Sequence, residues 1–314
     1  MPKKKTFKPL SLKGIKTYPI KSRKSKVSVD DFAKLPKKGG TVAEFFDCMP
    51  RILGAENLRE VADAVVRTHK AGRTVVLGMG AHVIKVGLGP MIIDLIERGV
   101  IDAVAMNGAC VVHDFEAAYV GCTSEDVDAE IGGGTFGMAE ETGKLLNRAI
   151  KKSPEKGLGR SVGEMIAKSR FEFKENSILA AAARCDVPVT VHVALGTDIL
   201  HIHPQMDAAA TGVASMQDFK LFASVVSTLD RGVYINLGSA VLLPEIFLKA
   251  LTLVRNKGHK VKNLTTVNMD FIQHYRPTTN VVRRPTQGSG KGYALTGHHE
   301  IMVPLLYAAI IERL

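Results

Sequence analysis

The sequence predicts an α/β protein: a Rossmann-like, mainly parallel sheet with helices on both faces. Three observations predict it. Short, uncharged, β-branched runs such as Thr74–Gly78 (TVVLG) and Gly232–Leu237 (GVYINL) alternate with stretches of helical periodicity. Several of these runs are apolar throughout, the mark of strands covered on both faces. Glycine and polar clusters follow each run, at the strand ends where open parallel sheets collect ligands.

The elements follow in order. Residues 1–40 hold 13 Lys/Arg and 2 Asp/Glu, which accounts for the whole net charge of +11. They form a basic arm ending in the linker signal Pro36-Lys37-Lys38-Gly39-Gly40. The rest, 41–314, is expected to be one α/β nucleotide-binding-like domain. Asn57–Ala71 carries Leu58, Val61, Ala62, Val65 and Val66 at helical spacing, and Thr74–Gly78 is the first strand. A helix over Leu88–Arg98 leads to a strand at Ile101–Met106. Lys151–Lys174 is polar and expected to be an exposed excursion with a short helix. Further on, the helix Ser177–Arg184 precedes the strand Val187–Val193, and the helix Asp218–Leu229 precedes the strand Gly232–Leu237. The helix Ala240–Asn256, a fifth strand at Val261–Asn268 and a closing helix over Glu300–Arg313 complete the pattern.

Composition narrows the function classes. No apolar run approaches the ~20 residues that span a bilayer, so no membrane association is expected. The lysine-rich start lacks the apolar core of a signal peptide, which points to a cytoplasmic protein. Cys48, Cys110, Cys122 and Cys185 show no paired C-x-x-C spacing and read as reduced, mostly buried thiols. Because residues 41–314 have no net charge, nucleic acid is not an expected partner except through the basic arm.

The strand-end clusters carry the candidate chemistry. Gly78-Met79-Gly80-Ala81-His82 permits a tight turn and close ligand approach, although Val83 occupies the third glycine position of a dinucleotide fingerprint. Asn107-Gly108 opens a segment with His113, Asp114 and Glu116, where Asp114 is either a chemical group or a helix cap. The densest cluster is Asp198, His201, His203 and Asp207. It is open to three readings: an acid–base or substrate role, a divalent metal site, which is not favoured, or structural hydrogen bonding. Gly238-Ser239-Ala240 again opens a helix with small residues. Gly288, Gly290 and Gly292 surround Lys291, but Pro285 and Gly292 break the Walker spacing. That segment reads as a loop able to fold over an anion with Arg283, Arg284 and Lys291, or as a plain surface loop.

The order of these motifs resembles the deoxyhypusine synthase family over roughly residues 55–310. Leu77–Ile84, Leu95–Val104, Asn107–Asp114 and Ala118–Gly121 resemble its N-terminal half. Cys185–Val189, Ala194–Asp198, Asp218–Leu221, Leu237–Val241 and Gly297–Leu306 resemble later segments. The resemblance implies NAD, a small-molecule substrate and a homotetramer with active sites between subunits. In the family's reaction spermidine is oxidised, and its aminobutyl group passes through an enzyme-lysine imine to a lysine of a translation factor. By position, Gly80, Ala81 and His82 would form one cofactor turn, Asn107 and Gly108 a second, and Gly238 and Ser239 a third. His298 stands in place of a cofactor-contacting aspartate. Asp114 matches an acidic position, and Asp198 matches a substrate-site aspartate.

The chain departs from the family where the imine forms. The family's lysine follows a tryptophan and a glycine; this chain has no tryptophan, and Arg284-Pro285 falls at that place. Neither residue forms an imine, while Lys291 lies close by in sequence as a displaced candidate. Pro244 or Glu245 replaces the family's substrate-contacting histidine, and His113, His201, His203, His274, His298 and His299 have no counterparts in its chemistry. The expectation is therefore a transferase-like enzyme that binds NAD or a related nucleotide. It would act on an amine-bearing or other small metabolite by redox or group transfer, without being an authentic deoxyhypusine synthase. Asp198, His113, His201 and Asp114 are the candidate catalytic residues. A His/Asp metal-dependent hydrolase and a non-catalytic ligand-binding oligomer are the alternatives.

Overall fold

A computed structural model describes residues 4–314. Residues 4–41 run without regular structure apart from short 3₁₀ turns at Ile20–Ser22 and Val29–Asp31, and Phe7, Leu10 and Leu35 lie exposed along them. Two backbone bonds, Lys34 N–H to the Cys48 carbonyl and Arg51 N–H to the Asp31 carbonyl, tie the end of this segment to residues 48–51.

The chain then forms α1 (Val42–Cys48), α2 (Leu53–Lys70), β1 (Val75–Met79), α3 (His82–Lys85), α4 (Gly89–Glu97), β2 (Ala103–Asn107) and α5 (Gly108–Val120). Next come α6 (Val127–Glu130), α7 (Glu140–Lys152), α8 (Leu158–Lys168), α9 (Ile178–Arg184), β3 (Val189–His192) and α10 (Ala208–Ser227). The chain closes with β4 (Val233–Leu237), α11 (Leu242–Asn256), β5 (Thr265–Asp270), α12 (Tyr275–Pro277), β6 (Lys291–Thr296) and α13 (His299–Ile311).

The strands form one six-stranded sheet in the order β3-β2-β1-β4-β5-β6, and every pair is parallel. The chain builds outward from β1 to β3, then returns to lay β4 against β1, so the topological switch lies between β1 and β4. The pleat divides the core. Leu77, Val104, Val191, Ile235, Val267 and Leu295 face the layer of α2, α4, α5, α8, α9 and α13. Val76, Ala103, Ala105 and Tyr234 face α10 and α11. On that second face Tyr234 stacks on Phe247 at 3.8 Å between ring centroids.

Several expectations are corrected. The Arg283–Tyr293 segment is not a loop over a ligand: β6 begins at Lys291, with Tyr293 and Leu295 buried and Lys291, Ala294 and Thr296 exposed. Lys151–Lys174 is not an exposed excursion, because Leu158, Val162 and Ile166 recur every four residues and are fully buried along α8. The fifth strand starts at Thr265 rather than Val261, since Asn263 takes a left-handed φ of 52° that no strand accommodates. The fourth helix of the pattern begins upstream of Asp218, at Ala208, where the Asp207 side chain accepts the Ala210 N–H as its cap. Of the four cysteines, only Cys110 is fully buried, and Cys122 and Cys185 are exposed. Among the described residues no helix is long and apolar enough to cross a membrane.

Candidate functional site

All six strands point their C-terminal ends to one edge of the sheet, and two adjoining sites form there. The first is the crevice at the β1/β4 switch. The Gly80 N–H donates to the Leu237 carbonyl at 2.9 Å, which brings the turn after β1 against the turn after β4. A Cβ on Gly80 would lie 2.2 Å from the Gly238 carbonyl oxygen, so only glycine allows this approach. The second turn is held from below: Asn236 Nδ2 donates to the Ser239 carbonyl at 2.9 Å and to Asn268 Oδ1 at 2.7 Å. Asn268 Nδ2 in turn donates to Gln273 Oε1 at 2.7 Å.

His299, the first residue of α13, enters this crevice from the side. It is only 1% exposed, and neither ring nitrogen has a hydrogen-bond partner among the described residues. Nε2 lies 3.7 Å from Asp270 Oδ1, at the end of β5. Burial lowers the pKa of His299, and the neighbouring Asp270 carboxylate opposes that shift. The His82 ring sits 5.8 Å from that of His299, and the exposed His298 stacks on Phe271 at 5.9 Å. Gly80, Ala81, His82, Gly238, Ser239 and His298 are therefore gathered at the β1/β4 strand ends.

The second site is a cavity of about 240 Å³ between the β2 and β3 ends, lined by Ala109, Val112, His113 and Glu116 of α5, together with Lys85, Glu125, Phe136, Thr197, Asp198 and Ile199. The four α5 residues fall on one helical face, by the 3.6-residue period. Asn107 caps α5 by accepting the Cys110 N–H at 3.0 Å. Asp198 lies over the same helix start, where a Cβ on Gly108 would come within 2.2 Å of Asp198 Oδ2. Burial pushes the Asp198 pKa up, and His201 and the Ala109 N–H partly offset this. His113 is pushed down to about 4 by burial and by the nearby Lys85 ammonium, so it is neutral at ordinary pH. Short α3 joins the two sites, sending His82 to the crevice and Lys85 to the cavity.

Other candidates go elsewhere. Asp114 does not line the cavity: it is buried and accepts Ser177 Oγ–H at 2.5 Å, Ile178 N–H at 2.7 Å and Leu179 N–H at 3.3 Å, capping α9. Burial lifts its pKa to about 6. His201 turns back on its own loop, where Nδ1 accepts the Gly196 and Asp198 N–H groups. His203 is buried, with Nε2 bonded to the Gly137 carbonyl at 2.8 Å. Asp207 caps α10 and pairs with Lys151. The Asp198–Asp207 cluster thus diverges, and the described residues contain no group of three or more His, Cys, Asp or Glu side chains arranged to hold a metal. Cys110 is an inert buried thiol, its pKa raised to about 12 by burial.

Lys291 opens β6 opposite Thr265, at the start of β5 and so at the far edge of the sheet from both sites. Its ammonium is bonded to Glu60 at 2.6 Å. Arg284-Pro285 lies toward that same far edge, where Arg255 at the end of α11 donates to the Pro285 carbonyl. Lys85 is the lysine that lines the cavity. It and Glu125 are site residues that motif spacing missed.

No family model and no curated protein sequence matches this chain. Solved structures do match in fold. One is ArgZ, an arginine dihydrolase from the ornithine–ammonia cycle in cyanobacteria, at 15% identity and a TM-score of 0.52, covering 83% of this chain and 33% of that one. A second is the ternary complex of AgrE with ornithine and NAD+, at 17% identity and a TM-score of 0.52, covering 81% and 32%. A third is a candidate deoxyhypusine synthase from Entamoeba histolytica, at 13% identity and a TM-score of 0.50, covering 88% and 94%. The chain spans about a third of the length of the first two. At such identities the likeness is one of fold: a Rossmann-like parallel sheet.

Proposed function

We propose that this chain is an enzyme that binds NAD or a related nucleotide in the β1/β4 crevice and acts on an amine-bearing small metabolite in the adjoining cavity, by redox or group transfer. The observation that carries the proposal is the crevice itself. It sits at the switch point of a parallel sheet, two backbone turns approach there without a Cβ, and a buried imidazole offers an unpartnered donor and acceptor. Those features fit a dinucleotide, whose ribose hydroxyls both donate and accept and so match an imidazole with both ring nitrogens unpartnered among the described residues. The AgrE complex supports the assignment, since a protein that shares this fold over about a third of its length is seen there with NAD+ and ornithine.

The amine class rests on the lining of the cavity. Three carboxylates, Glu116, Glu125 and Asp198, face one ammonium, Lys85. When bound, the nicotinamide would supply hydride acceptance. In that arrangement Asp198 holds the cationic end of the substrate, Gly80, Ala81, His82, Gly238, Ser239 and His298 hold the nucleotide, and His113 takes up a proton. Asn107 and Gly108 fix the start of α5 beneath the substrate. The chain is not proposed as an authentic deoxyhypusine synthase, because Arg284-Pro285 and Lys291 lie away from both sites. Cytoplasmic location and homotetrameric assembly belong to the same proposal.

Thermal unfolding with and without NAD tests it. A hundredfold excess over Kd stabilises the folded state by about 2.7 kcal/mol, enough to raise Tm by several degrees. An unchanged Tm at millimolar NAD would count against the nucleotide assignment. A shift without turnover across a set of small amines would instead mark a non-catalytic binding protein.

A further inference from the structure

The cavity histidine belongs to a hydrogen-bonded chain of side chains. His113 Nδ1 lies 2.7 Å from Thr123 Oγ1. Thr123 Oγ1 lies 2.6 Å from Glu116 Oε2, and the other carboxylate oxygen, Oε1, accepts from Thr142 Oγ1 at 3.1 Å. The local fold builds this contact. Glu116 is one turn along α5 from His113, and α5 ends at Gly121, whose left-handed φ of 77° turns the chain back so that Thr123 lands between the two side chains.

The direction of each bond follows from the donor inventory. An ionised carboxylate only accepts, and a threonine hydroxyl has a single hydrogen. That hydrogen goes to Glu116, so the Thr123 oxygen meets His113 as an acceptor and His113 must present Nδ1–H. We infer that Thr123 and Glu116 are positioning residues that hold His113 as its Nδ1–H tautomer, leaving the Nε2 lone pair as the proton acceptor for a ligand N–H or O–H in the cavity. The transfer is balanced. The ligand's proton moves to Nε2, its bonding electrons stay on the ligand nitrogen or oxygen, and the resulting imidazolium keeps its Nδ1–H bond toward Thr123 and Glu116.

The charged groups facing His113 are consistent with this assignment. Lys85 of α3 disfavours the protonated ring at rest, and Glu116 of α5 balances the imidazolium once it forms. Glu125, just after Thr123, and Asp198, after β3, line the same cavity. This orientation is the carboxylate–hydroxyl–imidazole counterpart of the second groups that fix histidine tautomers elsewhere.

The tautomer assignment rests on the proposed amine site for its ligand, but its test does not need one. Long-range ¹H–¹⁵N NMR of the full ligand-free chain resolves imidazole tautomers, and a His113→Gln variant identifies the His113 signals. The expected spectrum shows Nδ1 protonated and Nε2 bare. Thr123→Val, which removes the acceptor, makes Nε2–H the major form, whereas Thr123→Ser retains Nδ1–H. An Nε2–H tautomer in the unmodified chain, or a Thr123→Val spectrum identical to it, overturns the assignment. Because no nucleotide is present, failure here is distinct from failure of NAD to shift Tm, and the unmodified chain decides even where a variant does not fold.

Discussion

Two buried carboxylates of this chain do structural work that their chemistry disguises. Asp114 of α5 caps α9, and Asp218 of α10 holds the Leu158, Gly159 and Val191 N–H groups on one oxygen at 2.8–3.0 Å. Burial pushes the Asp218 pKa up to about 7, while the three N–H donors pull the other way. Its other oxygen has no partner among the described residues. Asparagine can therefore keep all three bonds, so Asp218→Asn costs about 1 kcal/mol, whereas Asp218→Ala strands three buried N–H groups and costs about 3–5 kcal/mol. Denaturant unfolding of the two variants measures the difference. Lys85 makes a separate prediction through pH. His113 has a folded pKa of about 4, below its unfolded value. The unfolded chain thus binds a proton that the folded chain refuses, and stability falls as pH drops from about 6.5 toward 4. In Lys85→Met the repelling charge is gone, the His113 pKa rises, and the loss of stability over that window shrinks. NMR titration of His113 reads the rise directly, and a value unchanged or lowered would refute the electrostatic role of Lys85.

At the scale of elements, the strand-end turns matter more than the strands. The turn after β1 is followed by a helix of four residues, α3, in place of the long helix of a dinucleotide fingerprint. Close backbone approach takes over the task of shaping the crevice. Gly80→Ala would set a methyl group against the Gly238 carbonyl, at a separation of 2.2 Å before relaxation. The two turns must part, and the NAD-dependent rise in Tm is expected to be lost while the far edge of the sheet, including β6, stays folded. Retention of the full shift would place the nucleotide elsewhere. The element-level reading from sequence succeeded where a run was apolar on both faces, as in β1 and β4. It failed at β6, an edge strand whose alternation is masked by glycines 288, 290 and 292 and whose pairing with β5 no local signal reveals.

At the scale of the molecule, strand order decides which turns meet. The run of βα units made a doubly wound sheet legible, and the glycine-bearing turns after β1, β2 and β4 were legible as strand ends. Which of them face one another was not legible. Gly80 and Gly238 are 158 positions apart in the chain, yet they touch because β4 returns to lie beside β1. The same order sends Lys291 and Arg284 to the far edge, although their neighbours in sequence seemed to bring them toward the ligand side. The basic segment before α1 is separate from both sites in sequence, and its exposed Phe7, Leu10 and Leu35 are the most apolar surface that the fold leaves uncovered there.

The sequence by itself determined the class of fold, the alternation of elements and the positions of Asp198, His113 and the three glycine turns, because periodicity and turn chemistry are local properties of the chain. Only the tertiary structure decided which polar groups share a space. It sent Asp114 to cap a helix, buried His203 against α7, drew Lys85 into the cavity and left His299 without a partner in the crevice. Each of those outcomes depends on a neighbour tens of residues away, and a hydrogen bond or a desolvated charge is a relation between two places that one stretch of sequence cannot contain.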